Sequence, residues 1–391
     1  MTRPRRGRVL QILPDGSRGG GGTAVLGLCR DLLATGDWDV ALVTAPGSPV
    51  AEEAARSGLL VLPLDFFTSR LDFRIARRLK REIDTFGPDL VHAHGARAGL
   101  PFLLPALSGA GPLVYTVHGF HHAVKPLPLR WLGRLAERRI LARAEAIVFV
   151  SDGDRDQATR ERILPRQDGR HRVIPNGIDP ADFDGLPACG ERFELVFAGR
   201  THPQKNPFFM IEIMEALQGS GIRLRMISGG PLEPALRQRI ARSPARDSIA
   251  FSGALHRREV LQAFLSARLH VLPSLWEGLP IAPIEALHAG LPVIGSNISG
   301  TRDVVADRVQ GRLIEGFVAA DWAQAVREIL ADEPFRQRLA SAGRLHVEAG
   351  FLRATGSARH DGLYRSLLQT GGQGAAFDAV PDGECNRDRR P

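Results

Sequence analysis

Short apolar runs alternate with longer amphipathic stretches along almost the whole chain. The first half reads RVLQIL, a glycine-rich turn into TAVLGLCRDLLATG, then DVALVTA, LLVLPL, a basic helix at 71–86, DLVHAH, LVYTVHG and AIVFVS. Runs of four to eight residues rich in β-branched side chains, spaced by helix-length segments, predict βαβ units and a parallel sheet. The rhythm restarts at Phe193 with FELVFAG, a helix from about Asn206, then MISGG, SIAFSGA, ARLHVLPS, LPVIGS and GRLIE. Two doubly wound α/β domains are therefore expected, as the length of 391 residues also suggests. The segment IDPADFDGLPACG has the composition of a linker, which divides the chain into domains at 1–186 and 187–350, a last helix at 351–370 and a tail at 371–391. That tail has too little apolar content to pack and is expected to be disordered. Ligands of open α/β sheets bind beyond the carboxyl ends of the strands, so the cleft between two such domains is the expected active site.

Charge narrows the choice of partners. The net charge is +8, and of the 51 basic residues only Lys80, Lys125 and Lys205 are lysines. Arginine richness of this kind is a coding bias and says nothing of nucleic acid; phosphorylated substrates, polyanions and anionic lipid headgroups fit the charge, as does simple solubility. Cys29, Cys189 and Cys385 are too few and too scattered for a disulfide framework or a CxxC metal site. The N-terminal apolar run stops at Pro14, too short for a secretion signal, and the uncharged stretch 98–117 is broken by Pro101, Pro105 and Pro112. A cytoplasmic protein is expected. Within 127–143, Arg130, Arg134 and Arg138 line one helix face, with Leu132, Ala136 and Ile140 roughly opposite and Trp131 beside them. An anionic membrane surface suits that face, and an ordinary surface helix packed on its domain explains it equally well.

The chemistry concentrates in LPSLWEGLPIAPIEALHAGLPVIGSNISG, residues 272–300. Pro280 and Pro283 are tolerated only at a helix start, so Glu277 belongs to a loop and Glu285 to the helix that follows. Two carboxylates near one helix N-terminus suit the vicinal hydroxyls of a ribose and a hexose, while the helix N–H groups suit phosphate. In FAGRTHPQKNPFF, Arg200 stands at a strand end and Lys205 just before a helix, two cations able to stabilise a departing diphosphate. Taken alone they also read as solvated loop charges. Gly300 and Thr301 stand at another helix start, where a plain N-cap is the simpler reading. Gly229 allows either a close backbone approach to a ligand or a turn.

In this order the motifs resemble glycosyltransferase family four over roughly residues 8–350. The resemblance implies a GT-B fold of two facing Rossmann-like domains, with Arg200 and Lys205 on the diphosphate, Glu285 on the ribose and Glu277 on the donor sugar. It further implies that Gly21 and Gly22 meet the donor phosphate, that Gly229, Gly300 and Thr301 line the donor site, and that His118 faces the reacting sugar. The catalytic set is then His118, Glu277, Arg200 and Lys205. A hexose, most simply from a UDP-sugar, would pass with retention and without metal or other cofactor to a glycan or lipid-linked acceptor of a bacterial surface polysaccharide or envelope. The chain departs from the pattern at Asn206, Ser299 and Asp303, where glycine, glycine and glutamate are usual.

Competing readings are a nucleotide-sugar epimerase on the same fold and a non-catalytic nucleotide-sugar-binding subunit. A dinucleotide fingerprint fails because Val25 occupies the place of its last glycine. The cluster His92, His94, His118, His121 and His122 invites a metal, but no acid or cysteine accompanies it; a core role satisfied by backbone groups competes for His92 and His94. The Asp152, Asp154 and Asp156 series reads as an acidic helix start.

Overall fold

The computed structural model describes residues 5–67, 74–120, 126–164 and 169–369; His121, His122, Cys385 and the tail from 371 lie outside them. The chain forms two compact units, one up to Pro175 together with the segment from Arg353, the other Asn176–Leu352. In the first unit the strands are β1 (Gly7–Leu13), β2 (Trp38–Thr44), β3 (Leu60–Pro63), β4 (Leu90–His94), β5 (Leu113–Val117), β6 (Ala146–Phe149) and β7 (His171–Val173). Its helices are α1 (Gly20–Thr35), α2 (Pro49–Arg56), α3 (Arg74–Phe86), α4 (Ala96–Gly99), α5 (Leu127–Arg143) and α6 (Asp152–Arg160). The second unit holds β8 (Phe193–Ala198), α7 (Pro207–Ala216), β9 (Leu224–Ile227), α8 (Glu233–Ala241), β10 (Ile249–Gly253), α9 (Arg257–Leu265) and β11 (Ala267–Leu272). It continues with α10 (Ile281–His288), β12 (Val293–Ser296), α11 (Ser299–Arg302), β13 (Gly311–Ile314), α12 (Ala319–Ala331) and α13 (Glu333–Gly350), after which α14 (Arg353–Gln369) rejoins the first.

Both sheets are wholly parallel, in the orders β3-β2-β1-β4-β5-β6-β7 and β10-β9-β8-β11-β12-β13. In each order the chain reverses direction of build next to its first strand, which opens a crevice at the carboxyl ends. Both faces are covered by helices, so the central strands are apolar on both sides rather than alternating. In the first unit, Leu10, Ile12, Val91 and Tyr115 pack on one face, and Val9, Leu13, Leu90 and Val114 on the other with Tyr364 of α14. In the second, Trp322 is fully buried beside Phe209 and hydrogen-bonds its indole N–H to the Gly316 carbonyl at 3.1 Å.

The join differs from the expected 186/187. Residues 176–186 belong with the second unit because Ile178 bridges to Leu352 and donates its N–H to Phe351 O at 2.9 Å, while Phe183 packs edge-on against His288. A proline- and glycine-rich composition marks irregular backbone, and here irregular backbone is fastened down. Helix α14 is tied to the first unit by Trp38 Nε1–H on Asp361 (2.6 Å), Ser357 on Asp31 (2.6 Å) and the Arg365–Asp37 pair. The acidic series after β6 starts α6 with Ser151 as its N-cap, accepting from the N–H of Asp154.

A polar layer crosses the second of the first unit's core faces. Gln11, His92, His94 and Thr116 are buried there, brought together because β1, β4 and β5 are neighbours in register. His92 reaches the Tyr364 hydroxyl through Nδ1 (2.5 Å) and Thr116 Oγ1 through Nε2 (2.6 Å), and His94 reaches Gln11 Oε1 through Nε2 (2.8 Å). The two imidazoles are thus satisfied by side chains rather than by the backbone groups expected from sequence. Burial, reinforced by neighbouring imidazoles, holds both well below the ordinary histidine range.

Since each stays neutral when folded but takes up a proton near pH 6.5 when unfolded, the unfolded state binds more protons below that pH, and stability falls on acidification. The slope approaches about 3 kcal/mol per pH unit for the pair. Urea melts of the intact protein are expected to show a transition whose midpoint drops between pH 7 and pH 5, above the range in which most carboxylates titrate. A midpoint that stays flat over that interval would contradict neutral burial of His92 and His94.

Candidate active site

The second sheet gathers the predicted donor residues at its carboxyl edge. After β8 the chain turns through Gly199, Arg200 and Thr201 into a tight turn, Pro203–Lys205, whose start is capped by His202 Nδ1 accepting from the Gln204 N–H. Asn206, which stands where glycine is usual, has φ +49°. Asparagine is among the few residues that adopt this left-handed conformation readily, so the departure keeps the backbone geometry and with it the direction of Lys205.

Lys205 Nζ lies 2.5 Å from Glu277 Oε1, with only 15% of the lysine side chain and 5% of the glutamate side chain exposed. The same carboxylate accepts from Ser274 Oγ (2.6 Å) and Gln204 Nε2 (3.2 Å). Gln204 also clamps the loop after β11, donating to Trp276 O (3.0 Å) and accepting the Leu275 N–H (2.8 Å). A nearly buried ion pair survives only when such hydrogen bonds replace lost hydration. Beneath it, His270 is buried and donates Nδ1–H to Val196 O at 3.1 Å; burial, with Lys205 adding, pushes this imidazole down to about 3. An ammonium has three protons, so Lys205 can hold Glu277 and still donate to a phosphate.

Glu285 sits in the first turns of α10, as the two prolines predicted, and is 5% exposed. Its Oε1 lies 2.5 Å from Arg257 Nη1, and the same guanidinium holds Asp182 at 2.7 Å. Burial pushes the carboxyl up, with Arg257 pulling against it. Neither Arg257 nor Asp182 was picked out from sequence: an arginine in an arginine-rich chain and an aspartate in an apparent linker carry no local signal.

The glycines divide by role. A Cβ on Gly300 would lie 2.2 Å from the Gly278 carbonyl oxygen, so α11 is pressed against the loop bearing Glu277. A Cβ on Gly229 would meet Ala254 Cβ at 2.5 Å, so packing gives a reason for glycine there beside the two readings open from sequence, a close approach to ligand and a turn. Gly230 has φ +136°, and a Cβ would meet Thr201 Oγ1 at 2.7 Å. In the first unit Gly21 and Gly22 lie in the first turn of α1 rather than in a loop; Gly22 is backed by Val50, while a Cβ on Gly21 would have nothing within 4 Å.

Sequence reasoning picked out Thr301 but missed the other members of a set of buried polar atoms. Thr201 Oγ1, Ser228 Oγ, Trp276 Nε1, Ser296 Oγ and Thr301 Oγ1 have no hydrogen-bonding partner among the described residues. Buried polar groups are otherwise nearly always paired, and all five lie at or beyond the ends of β8, β9, β11 and β12, where a polyhydroxylated or phosphorylated ligand would supply partners. His118 is placed in the first unit, half-buried at the end of β5 and 3.1 Å from His94 Nδ1.

Two family models divide the chain between them: one described as Glycosyltransferase Family 4 matches residues 18–182, and one described as Glycosyl transferases group 1 matches 180–346. The chain belongs to glycosyltransferase family four. It is therefore a glycosyltransferase of the GT-B fold, and its two parallel sheets are the Rossmann-like halves of that fold. The alpha-D-kanosaminyltransferase of Streptomyces kanamyceticus is 26% identical over 321 residues, 75% of this chain and 80% of that protein. The D-inositol 3-phosphate glycosyltransferase of Xylanimonas cellulosilytica is 28% identical over 281 residues, 66% of this chain and 67% of the relative. Among solved structures, Anabaena HepE in complex with UDP and glucose superposes with a TM-score of 0.78 over 93% of this chain and 100% of that one; at 16% identity the likeness is one of fold.

Two glycine substitutions separate packing from ligand contact in this glycosyltransferase. Gly300→Ala is expected to displace the Glu277 loop and weaken nucleotide-sugar binding at least tenfold by calorimetry. Gly21→Ala, in open helical surroundings, is expected to raise stability by up to about 1 kcal/mol. If Gly21→Ala instead weakens donor binding, the α1 N-terminus is a ligand contact, as the family likeness implies.

Proposed function

We propose that this glycosyltransferase moves a hexose from a UDP-sugar, with retention of configuration and without a metal ion, onto a glycan or lipid-linked acceptor in bacterial surface polysaccharide or envelope assembly. The carrying observation is the buried Lys205–Glu277 pair among unpartnered hydroxyls at the strand ends. Glu277 accepts from hydroxyls of the donor sugar and Glu285 from the ribose. Arg200 and Lys205 take up the negative charge that grows on the diphosphate as the bond from the sugar's anomeric carbon to its oxygen breaks. The acceptor oxygen bonds that carbon on the same face, and its proton passes to the departing phosphate oxygen, so no side chain is needed as base. His118 hydrogen-bonds the reacting sugar or orients the acceptor. UDP as the base is supported by its presence in the complex of the similar Anabaena structure.

Helix α5 supports the lipid-linked alternative for the acceptor. Its predicted apolar face divides: Ile140 is buried, as are the neighbouring Leu141 and Glu137, which accepts from the Tyr115 hydroxyl at 2.8 Å, whereas Leu132 is 54% exposed. Leu127, Leu129 and Trp131 are exposed with it, alongside Arg130, Arg134 and Arg138, and α5 packs on the turn that exposes Leu100. Exposed leucines and a tryptophan among arginines fit the headgroup layer of an anionic bilayer. No described helix is long and apolar enough to cross a membrane, so association would be peripheral. A small phosphorylated acceptor is the second reading, favoured by the name of the inositol-phosphate relative.

For the donor site, Glu285→Ala is expected to weaken UDP-sugar binding roughly 10- to 100-fold, the worth of a hydrogen bond to a charged group. Glu277→Gln and Lys205→Ala should mainly lower turnover, and EDTA should leave the rate unchanged. Wild-type rates in all three variants would overturn the assignment. For the surface, co-sedimentation with phosphatidylcholine vesicles is expected only when phosphatidylglycerol is included, and Arg134→Ala should weaken it about fivefold. Indifference to lipid charge, together with transfer to inositol phosphate, would favour the second reading.

A further inference from the structure

The polar layer of the first unit is a directed chain of hydrogen bonds that ends at His118. Its direction is that of the Gln11 amide as assigned, since turning the amide over would reverse every link. The amide donates Nε2–H to the Tyr364 hydroxyl (3.1 Å) and offers Oε1 to His94 Nε2 (2.8 Å). An oxygen can only accept, so the proton of His94 is on Nε2. A neutral imidazole has one N–H, which leaves the lone pair on Nδ1, and the atom facing it at 3.1 Å is His118 Nε2. That nitrogen must carry a hydrogen. At the other end the Tyr364 hydroxyl, having accepted from Gln11, donates to His92 Nδ1, and His92 Nε2–H donates to Thr116 Oγ1. Every link agrees with its neighbours.

Gln11, His92, Thr116 and Tyr364 are at most 2% exposed and His94 is 6% exposed, while His118 is half-buried at a strand's carboxyl end. The chain thus runs from core to the edge where α/β sheets bind ligands. The rings of His92 and His94 lie 4.0 Å apart and His360 is 5.6 Å from His92, so charging one would set it against the others. Apolar residues would fill this space at no greater cost than a polar layer that must be satisfied at every atom.

We propose that His94 is a positioning residue for glycosyl transfer: its Nδ1 accepts the Nε2–H of His118 and so holds that ring in one orientation and one tautomer, with Nδ1 the unprotonated nitrogen of neutral His118. The direction is set by Gln11 and Tyr364 of α14. This rests on the reading that His118 meets the reacting sugar or the acceptor.

The test is nitrogen NMR of the full chain labelled at histidine, with His118 assigned by its loss in His118→Gln, beside steady-state kinetics. Wild type is expected to show neutral His118 protonated at Nε2. In His94→Leu the His118 tautomer should become mixed, with kcat about five- to tenfold lower, the worth of one lost hydrogen bond, and little change in KM for the donor. His94→Asn places an acceptor oxygen near the former Nδ1 and should recover the tautomer and part of the rate. Gln11→Met, close in volume, is the second variant should His94→Leu fail to fold, and it too should mix the tautomer. An unchanged His118 spectrum in a folded His94→Leu or Gln11→Met protein, or Nδ1 protonation in wild type, overturns the proposal. A tautomer shift without change in kcat keeps the hydrogen-bond chain but removes its role in transfer. Absence of transfer activity in wild type would instead count against the functional reading, while the spectra still decide the chain.

Discussion

Two opposite charges held nearly out of water, Lys205 and Glu277, tie together several segments of the second unit. Desolvating such a pair costs several kcal/mol per ion, and mutual attraction offsets that only with good geometry and additional hydrogen bonds. Each supporting group comes from a different segment: Gln204 from the turn after β8, Ser274 from the end of β11, and the Trp276 carbonyl locking Gln204 in return. Gly300 then fixes the carboxylate's loop from the side of α11 by direct backbone contact. A pair built this way is poor as a stability device, since apolar residues would serve as well. Under the proposed function its value is that two charges stand preorganised at a strand edge, which is the form electrostatic catalysis takes.

The first unit meets the same problem with neutral groups. A buried imidazole avoids the desolvation cost by staying uncharged, and then each nitrogen must find a partner of the right kind. Gln11 supplies this because an amide joins a donor and an acceptor rigidly, and Tyr364 because a hydroxyl relays the direction. Charge in one unit and hydrogen-bond direction in the other both trade stability for fixed placement. In both, the polar groups sit beside apolar strands that give the rigidity needed to hold an atom to a fraction of an ångström.

Much of this was legible in the sequence, and what was not has a common cause. The alternation of apolar runs and helical stretches marks both sheets, and the prolines around Glu277 and Glu285 place one on a loop and the other in a helix, because those effects act over a few residues. Partners such as Gln204 for Glu277, Arg257 for Glu285 and Tyr364 for His92 come from segments the sheet topology brings together, and no local pattern names them. Glycine is ambiguous for the same reason: Gly229 reads as a close approach or a turn and Gly300 as a phosphate-binding helix start or a plain N-cap, and only the fold shows which atoms crowd each position. The linker composition of 178–190 likewise gave no sign that Ile178 would pair with Leu352. Periodicity gave α5 two faces, but which residues a neighbour covers depends on where the helix lies.

The Arg257–Glu285–Asp182 cluster shows why an ion pair at the proposed ribose position is compatible with binding there. Burial alone drives the Glu285 carboxyl toward its protonated form, and a protonated acid would offer one donor where two sugar hydroxyls need acceptors. Arg257 opposes that drift through charge and a hydrogen bond to one carboxylate oxygen. A carboxylate has about four lone-pair sites, so the cation stabilises the ionised form without exhausting its capacity to accept. Asp182 in turn shares the guanidinium, fixing its plane from the segment that opens the second unit. The arrangement keeps Glu285 buried with a cation opposing its protonation and lone pairs left to accept, conditions that a lone glutamate in α10 would not satisfy together.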